Sequence, residues 1–111
     1  MAFDQVLADR VRGVLSPRAE LTERKMFGGI AFMIAGNMAV GVIGDDLMVR
    51  LDPADAEKAV AEPHVRPMDF TGRPMKGMVF VDAHGTGDEA GLADWVEAGA
   101  DFAASLPPKQ R

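Results

Sequence analysis

Apolar residues recur at three- and four-residue steps near the start of the chain. They are Phe3, Val6, Leu7, Val11, Val14 and Leu15, and Asp4, Gln5, Asp9, Arg10 and Arg12 fill the other side. That period predicts an amphipathic helix. Ser16-Pro17 ends it, because proline disfavours helical geometry in the residue before it. The period then shortens to two. A short strand is expected over Arg24 to Phe27. Ile30, Phe32 and Ile34 next alternate with Ala31 and Met33; Met38, Val40 and Val42 with Ala39 and Gly41; Leu47, Val49 and Leu51 with Met48 and Arg50. Gly28-Gly29, Gly36-Asn37 and Gly44-Asp45 supply the turns between these runs. The last three of these runs, joined by tight turns, are expected to form an antiparallel meander.

Asp52-Pro53 then opens a short helix, about Pro53 to Ala61, with Asp52 as cap and Pro53 in the first helical position. Pro63 stops it. Val65 to Phe70 reads as a strand that Pro67 confines to an edge or bulge, and Met78 to Val81 as another. In the last helix Leu92, Trp95, Val96, Gly99, Phe102, Ala103 and Leu106 share a face, while Asp88, Glu89, Asp94, Glu97 and Asp101 lie away from it. Pro107-Pro108 terminates it. The expected fold is α+β. It is a two-layer sandwich in the order helix, antiparallel strand meander, helix, two strands, helix.

A chain of 111 residues suits one domain, 1–111, with one hydrophobic core. Apolar residues make up 48%, which excludes disorder. Cysteine is absent, so neither disulfides nor thiolate metal sites hold the fold, in keeping with a reducing cytoplasm. No signal peptide is visible, and no uncharged apolar run approaches the ~20 residues of a membrane span. Residues 1–50 hold six basic and six acidic side chains, and residues 51–111 six and eleven, so the net charge of −5 lies in the second part. Nucleic-acid binding would need the opposite balance.

The inventory for catalysis is thin. Ser16 precedes a proline and Ser105 closes a helix, and neither sits in a Gly-x-Ser-x-Gly elbow. His64 and His84 read as solvated loop residues twenty positions apart, each without a second histidine nearby in the sequence, which argues against a metal site. No cofactor motif is present: the glycines lie between strands and match neither a dinucleotide fingerprint nor a P-loop. Seven of the eight methionines fall between Met26 and Met78, in the expected sheet. Methionine fills irregular cores and also lines adaptable partner surfaces. Trp95 is expected in the core.

The densest polar cluster is Pro67-Met-Asp-Phe-Thr-Gly-Arg-Pro-Met-Lys-Gly77. Its turn could direct backbone N–H groups and the charges of Arg73 and Lys76 at a phosphate or carboxylate. Alternatively Asp69 pairs with Arg73 or Lys76 and fastens an edge hairpin. Arg50 and Arg66 would join the cluster if their strands neighbour it. The candidate anion site is therefore Arg50, Arg66, Asp69, Arg73 and Lys76.

Met26-Phe-Gly-Gly29, Gly36-Asn-Met-Ala39, Leu47-Met-Val-Arg50, Arg66-Pro-Met-Asp-Phe-Thr-Gly-Arg-Pro-Met-Lys-Gly77 and the closing Trp95 helix together resemble the TfoX N-terminal domain family. The resemblance runs from about residue 10 to Lys109. It implies a bacterial cytoplasmic protein with a compact α+β fold. Full-length TfoX-like proteins regulate natural competence with a cyclic-AMP-responsive activator and carry a second, C-terminal domain. This chain stops at Pro107-Pro-Lys-Gln-Arg111, which implies a stand-alone version. The resemblance carries no catalytic residue over. Three functions are in view. The first is a non-enzymatic regulatory module that binds a protein or itself, as a homodimer, through a sheet edge or the Met-rich face. The second is a binder of small anions at Arg50, Arg73 and Lys76. The third is an enzyme using Asp69 or a histidine as general acid or base.

Overall fold

The structure, a computed structural model, describes residues 4–26, 28–69 and 74–107, with the backbone alone at 26, 68, 69 and 74–76. The elements run α1 (Gln5–Leu15), β1 (Leu21–Met26), β2 (Gly29–Ile34), β3 (Asn37–Ile43), β4 (Asp46–Arg50), α2 (Pro53–Ala59), β5 (Val65–Asp69), β6 (Pro74–Val81) and α3 (Glu89–Ser105). All strand pairs are antiparallel, in the spatial order β1-β2-β3-β4-β6-β5. The α+β expectation holds, and β5, with Pro67, is an edge strand. The meander has four strands rather than three, because β1, which begins at Leu21 rather than Arg24, pairs with β2 along its whole length.

The three helices share one core with one face of the sheet. Leu7, Val11 and Leu15 of α1, Ala56 and Ala59 of α2, and Leu92, Val96, Ala100 and Ala103 of α3 pack with Phe32, Val40, Val42, Leu47, Val49, Val79 and Val81. Each fully buried Val or Leu is worth roughly 1.5–3 kcal/mol relative to exposure, so this layer dominates stability. Helix α3 comes very close to β3. A Cβ on Gly99 would lie 2.5 Å from the Ala39 carbonyl oxygen.

Caps set the helix phases. The Asp4 carboxylate accepts the N–H groups of Val6 and Leu7 at 2.9 and 3.1 Å. With the helix starting there, Val6 is 68% exposed and Ala8 takes the buried position that periodicity assigned to Val6. Phe3 lies outside the described residues. Asp52 caps α2 through Ala54 N–H at 3.0 Å, as expected, though the helix ends at Ala59 rather than Ala61. On α3, Leu92, Val96, Gly99 and Ala103 are buried as expected. Trp95 packs half-buried against the core, and Phe102 is half-buried beside Arg50.

Two local expectations fail for backbone reasons. The β2–β3 turn is Ala35-Gly36, with φ of 51° and 83°, and not Gly36-Asn37. Asn37 instead opens β3, 4% exposed, and its amide donates to the Pro107 carbonyl at 2.9 Å. The β2–β3 register also slips between Phe32 and Met33. This bulge turns both Ala39 and Val40 to the helical side and sends Met38 to the other face. Val40 and Met38 therefore do not share a face, as simple alternation had them doing.

Ion pairs tie the layers at the rim. Arg12 of α1 makes two bonds to the Glu23 carboxylate of β1, at 2.6 and 2.8 Å, and one to Asp9 at 2.6 Å. The Glu23 bond holds the Arg12 guanidinium above its ordinary pKa, and the Arg12 bond holds the Glu23 carboxyl below its own. Arg18 reaches Glu97 at 2.5 Å and Asp101 at 2.6 Å, and Arg10 reaches Glu89 at 2.7 Å. Part of the acidic face of α3 is thus bound to the segment around α1.

Candidate functional site

Alternation along the strands defines a second face of the sheet. Met48 lies between Leu47 and Val49, and Phe80 between Val79 and Val81, so both point away from the helices. They face each other across β4 and β6. With Met78 they form a second apolar cluster, against which Met38 and Ile43 pack. Met48, Met78 and Phe80 are 1, 6 and 9% exposed, while Met38 and Ile43 are half-buried. No described helix contributes a residue to this cluster. An antiparallel sheet with one face toward water normally carries polar residues there. Here the face centres on three buried residues, Met48, Met78 and Phe80, with Met38 and Ile43 half-buried beside them and Arg66 and Asp46 at the margin.

Arg66 borders the cluster. Its guanidinium carbon stands 4.9 Å from the centroid of the Phe80 ring, and Nη2 bonds the Asp46 carboxylate at 2.6 Å. Arg50 takes another course. Its guanidinium carbon lies 5.7 Å from the Phe102 ring of α3, so the side chain serves the junction of sheet and helix. The two arginines are opposite Phe80 and Met78 respectively, on strands either side of β6. Both have local aromatic partners, and the structure does not bring them together on a shared point. Asp69 is in register with Pro74 at the end of the β5–β6 ladder. The side chains of Asp69 and Lys76, and all of Arg73, lie outside the described residues.

The sheet edges are blunted. The outer strand β1 exposes Thr22, Glu23, Arg24 and Lys25 in succession. The other edge, β5, carries Pro67, which has no N–H to offer a further strand. Charged runs and prolines are the usual means of keeping edges from pairing.

One cluster escaped the sequence reading. His64 and His84 stand in different turns, yet their rings are 5.5 Å apart between centroids and tilted by 32°. Asp82 lies between the turns. Its Oδ1 accepts the N–H groups of His84 and Gly85 at 3.0 and 3.2 Å and lies 3.5 Å from His64 Nδ1. Desolvation pushes the Asp82 carboxyl up, but these two backbone bonds and the nearby imidazoles outweigh it and leave it below its ordinary pKa. Both histidines are exposed, as expected, but they are not isolated. The clue available in the sequence was the hairpin of β5 and β6, whose ends His64 and His84 flank.

The serines are tied to their own helices: Ser16 Oγ donates to the Gly13 carbonyl at 3.2 Å and Ser105 Oγ to the Phe102 carbonyl at 2.6 Å. A shallow cleft of about 420 Å³ lies between the C-terminal end of α3 and the β2–β3 turn, lined by Arg18, Glu20, Ile34, Ala35, Ala104 and Leu106. It contains none of the residues proposed for anion binding. Among the described residues no helix is long and apolar enough to cross a membrane.

The order of elements and the motifs along the sheet agree with a comparison against known families. The model of the TfoX N-terminal domain matches residues 14–103. The chain belongs to the TfoX N-terminal domain family. The match spans β1 to β6, most of α3 and the end of α1, so both faces of the sheet belong to the family's shared part. No curated protein and no solved structure matches the chain.

Proposed function

We propose that this TfoX N-terminal domain is a non-enzymatic regulatory module that binds another protein through the reverse face of its sheet. One observation carries the reading: Met38, Ile43, Met48, Met78 and Phe80 form an apolar cluster on the side of the sheet away from all three described helices. Unbranched thioethers adapt to different partner shapes, which suits a recognition surface. Arg66 and Asp46 at its margin add the polar rim that such surfaces carry. The sheet edges support this choice of surface over strand addition, because charge on β1 and Pro67 on β5 discourage it. Membership of the TfoX N-terminal domain family supports a regulatory role linked to competence.

The test uses the full chain as bait in extracts of its own source cells, beside Met38→Glu and Ile43→Glu variants. Both residues are half-buried at the rim of the cluster, so folding is checked by circular dichroism. The reading expects a protein, or a second copy of the chain, retained in stoichiometric amount by the wild type and lost from both folded variants. Equal retention by all three, or a strictly monomeric wild type that retains nothing, would overturn it.

A further inference from the structure

We propose that His64 and His84 form a surface site for a borderline divalent metal ion of the zinc, nickel or copper class, held between the two imidazoles beside the Asp82 carboxylate. The backbone builds this arrangement. His64 ends the loop after α2 with φ of 70°, and its carbonyl accepts the Asp82 N–H at 2.9 Å. Asp82 then fixes the opposite turn through the N–H groups of His84 and Gly85. Gly85 lets the two turns close. A Cβ there would stand 2.5 Å from Val81 Cγ1 and 3.1 Å from the His64 Cβ. The site shares no residue with the methionine cluster and does not depend on the proposed function.

The spacing suits a bridging ion. With metal–nitrogen bonds of about 2.0–2.1 Å, two imidazoles on one ion at a near-tetrahedral angle have centroids about 5 Å apart. The observed 5.5 Å needs only a small rotation, and both side chains are exposed and able to make it. Imidazole selects zinc, copper and nickel over hard cations. Magnesium and calcium want shells of oxygen ligands, and this cluster offers one carboxylate. As the side chains stand, no three His, Cys, Asp or Glu residues among those described are arranged around a common ion. The imidazoles therefore carry the site, with water completing the shell and the Asp82 charge favouring the cation.

The experiment is calorimetric titration of the untagged chain with zinc chloride at pH 7.5, beside His64→Asn and His84→Gln. Asparagine tolerates the positive φ at position 64. The expected result is one zinc bound per chain, at least tenfold weaker binding in each folded variant, and no binding of magnesium. Nickel should broaden the NMR signals of residues 64 and 82–85 before others. A wild type that binds no zinc, variants that bind as tightly as the wild type, or broadening centred elsewhere would overturn the proposal.

Discussion

Alanine at Gly99 should act oppositely to alanine at Gly13, although both glycines lie within helices. On α1, Gly13 is exposed and a Cβ there meets nothing within 4 Å. Replacement removes backbone freedom from the unfolded chain and should stabilise by about 0.5–1 kcal/mol. On α3 the same gain is overwhelmed. The new Cβ would sit 2.5 Å from the Ala39 carbonyl oxygen and 2.8 Å from Val40 Cγ1. Comfortable contact begins near ~3.5 Å, so the helix must lift from β3 by about 1 Å at that point. The first neighbour is backbone in a central strand and cannot swing aside. Overpacking of this kind costs about 1–3 kcal/mol. At the upper end, and after subtracting roughly 1 kcal/mol of helix propensity, the net loss is about 2 kcal/mol. For a domain of this size that lowers Tm by about 8 °C, whereas Gly13→Ala raises it by a few degrees. Urea unfolding and calorimetry read both. If Gly99→Ala proved as stabilising as Gly13→Ala, α3 would not rest on β3 as described, and the division of the sheet into a helix-covered face and a reverse face would fall with it.

Other outcomes follow from the rim and the termini of the layers. The Glu23 carboxyl is held below its ordinary pKa by Arg12, so its contribution is full above the unfolded value of about 4.3 and fades as pH falls through the lower folded one. Glu23→Gln should therefore lower stability by no more than ~1 kcal/mol at pH 7, since both partners are about a third exposed. The urea curves of wild type and variant should converge as the pH falls and in high salt; a difference that grew on acidification would contradict the pairing. Asn37→Ala should cost about 0.5–1.5 kcal/mol, the net worth of the hydrogen bond its buried amide gives to the Pro107 carbonyl. A thermal melt unchanged by that substitution would show that the end of α3 is not held at the start of β3.

Much of the architecture was legible because local chemistry and global fold agree. Asp52-Pro53 states a helix start in two residues, and Ser16-Pro17 a helix end. The alternation of Leu47 to Leu51 states both faces of β4. What was illegible depends on backbone events that leave no local trace. The bulge at Ala39 inverts the facing of Met38, and nothing in Asn37-Met-Ala-Val40 announces it. The hairpin turn settled on Ala35-Gly36 because Asn37 finds a partner at Pro107, 70 residues away. His64 and His84 meet only because the β5–β6 ladder returns the chain to its starting end. The methionines could be counted in the sequence, but that Met38, Met48 and Met78 gather on the reverse face needed the register. Of the five residues proposed for anion binding, Arg50 and Arg66 turned to aromatic rings, for which charge-based reading gives no signal.

The reverse face is the claim on which the functional account stands. Quantitative comparison of the proteins retained by the wild-type chain and by Ile43→Glu tests it most directly. The account predicts one stoichiometric partner, foreign or a second copy, that disappears with the variant while its circular dichroism stays native. Identical retention profiles for the two chains would contradict it.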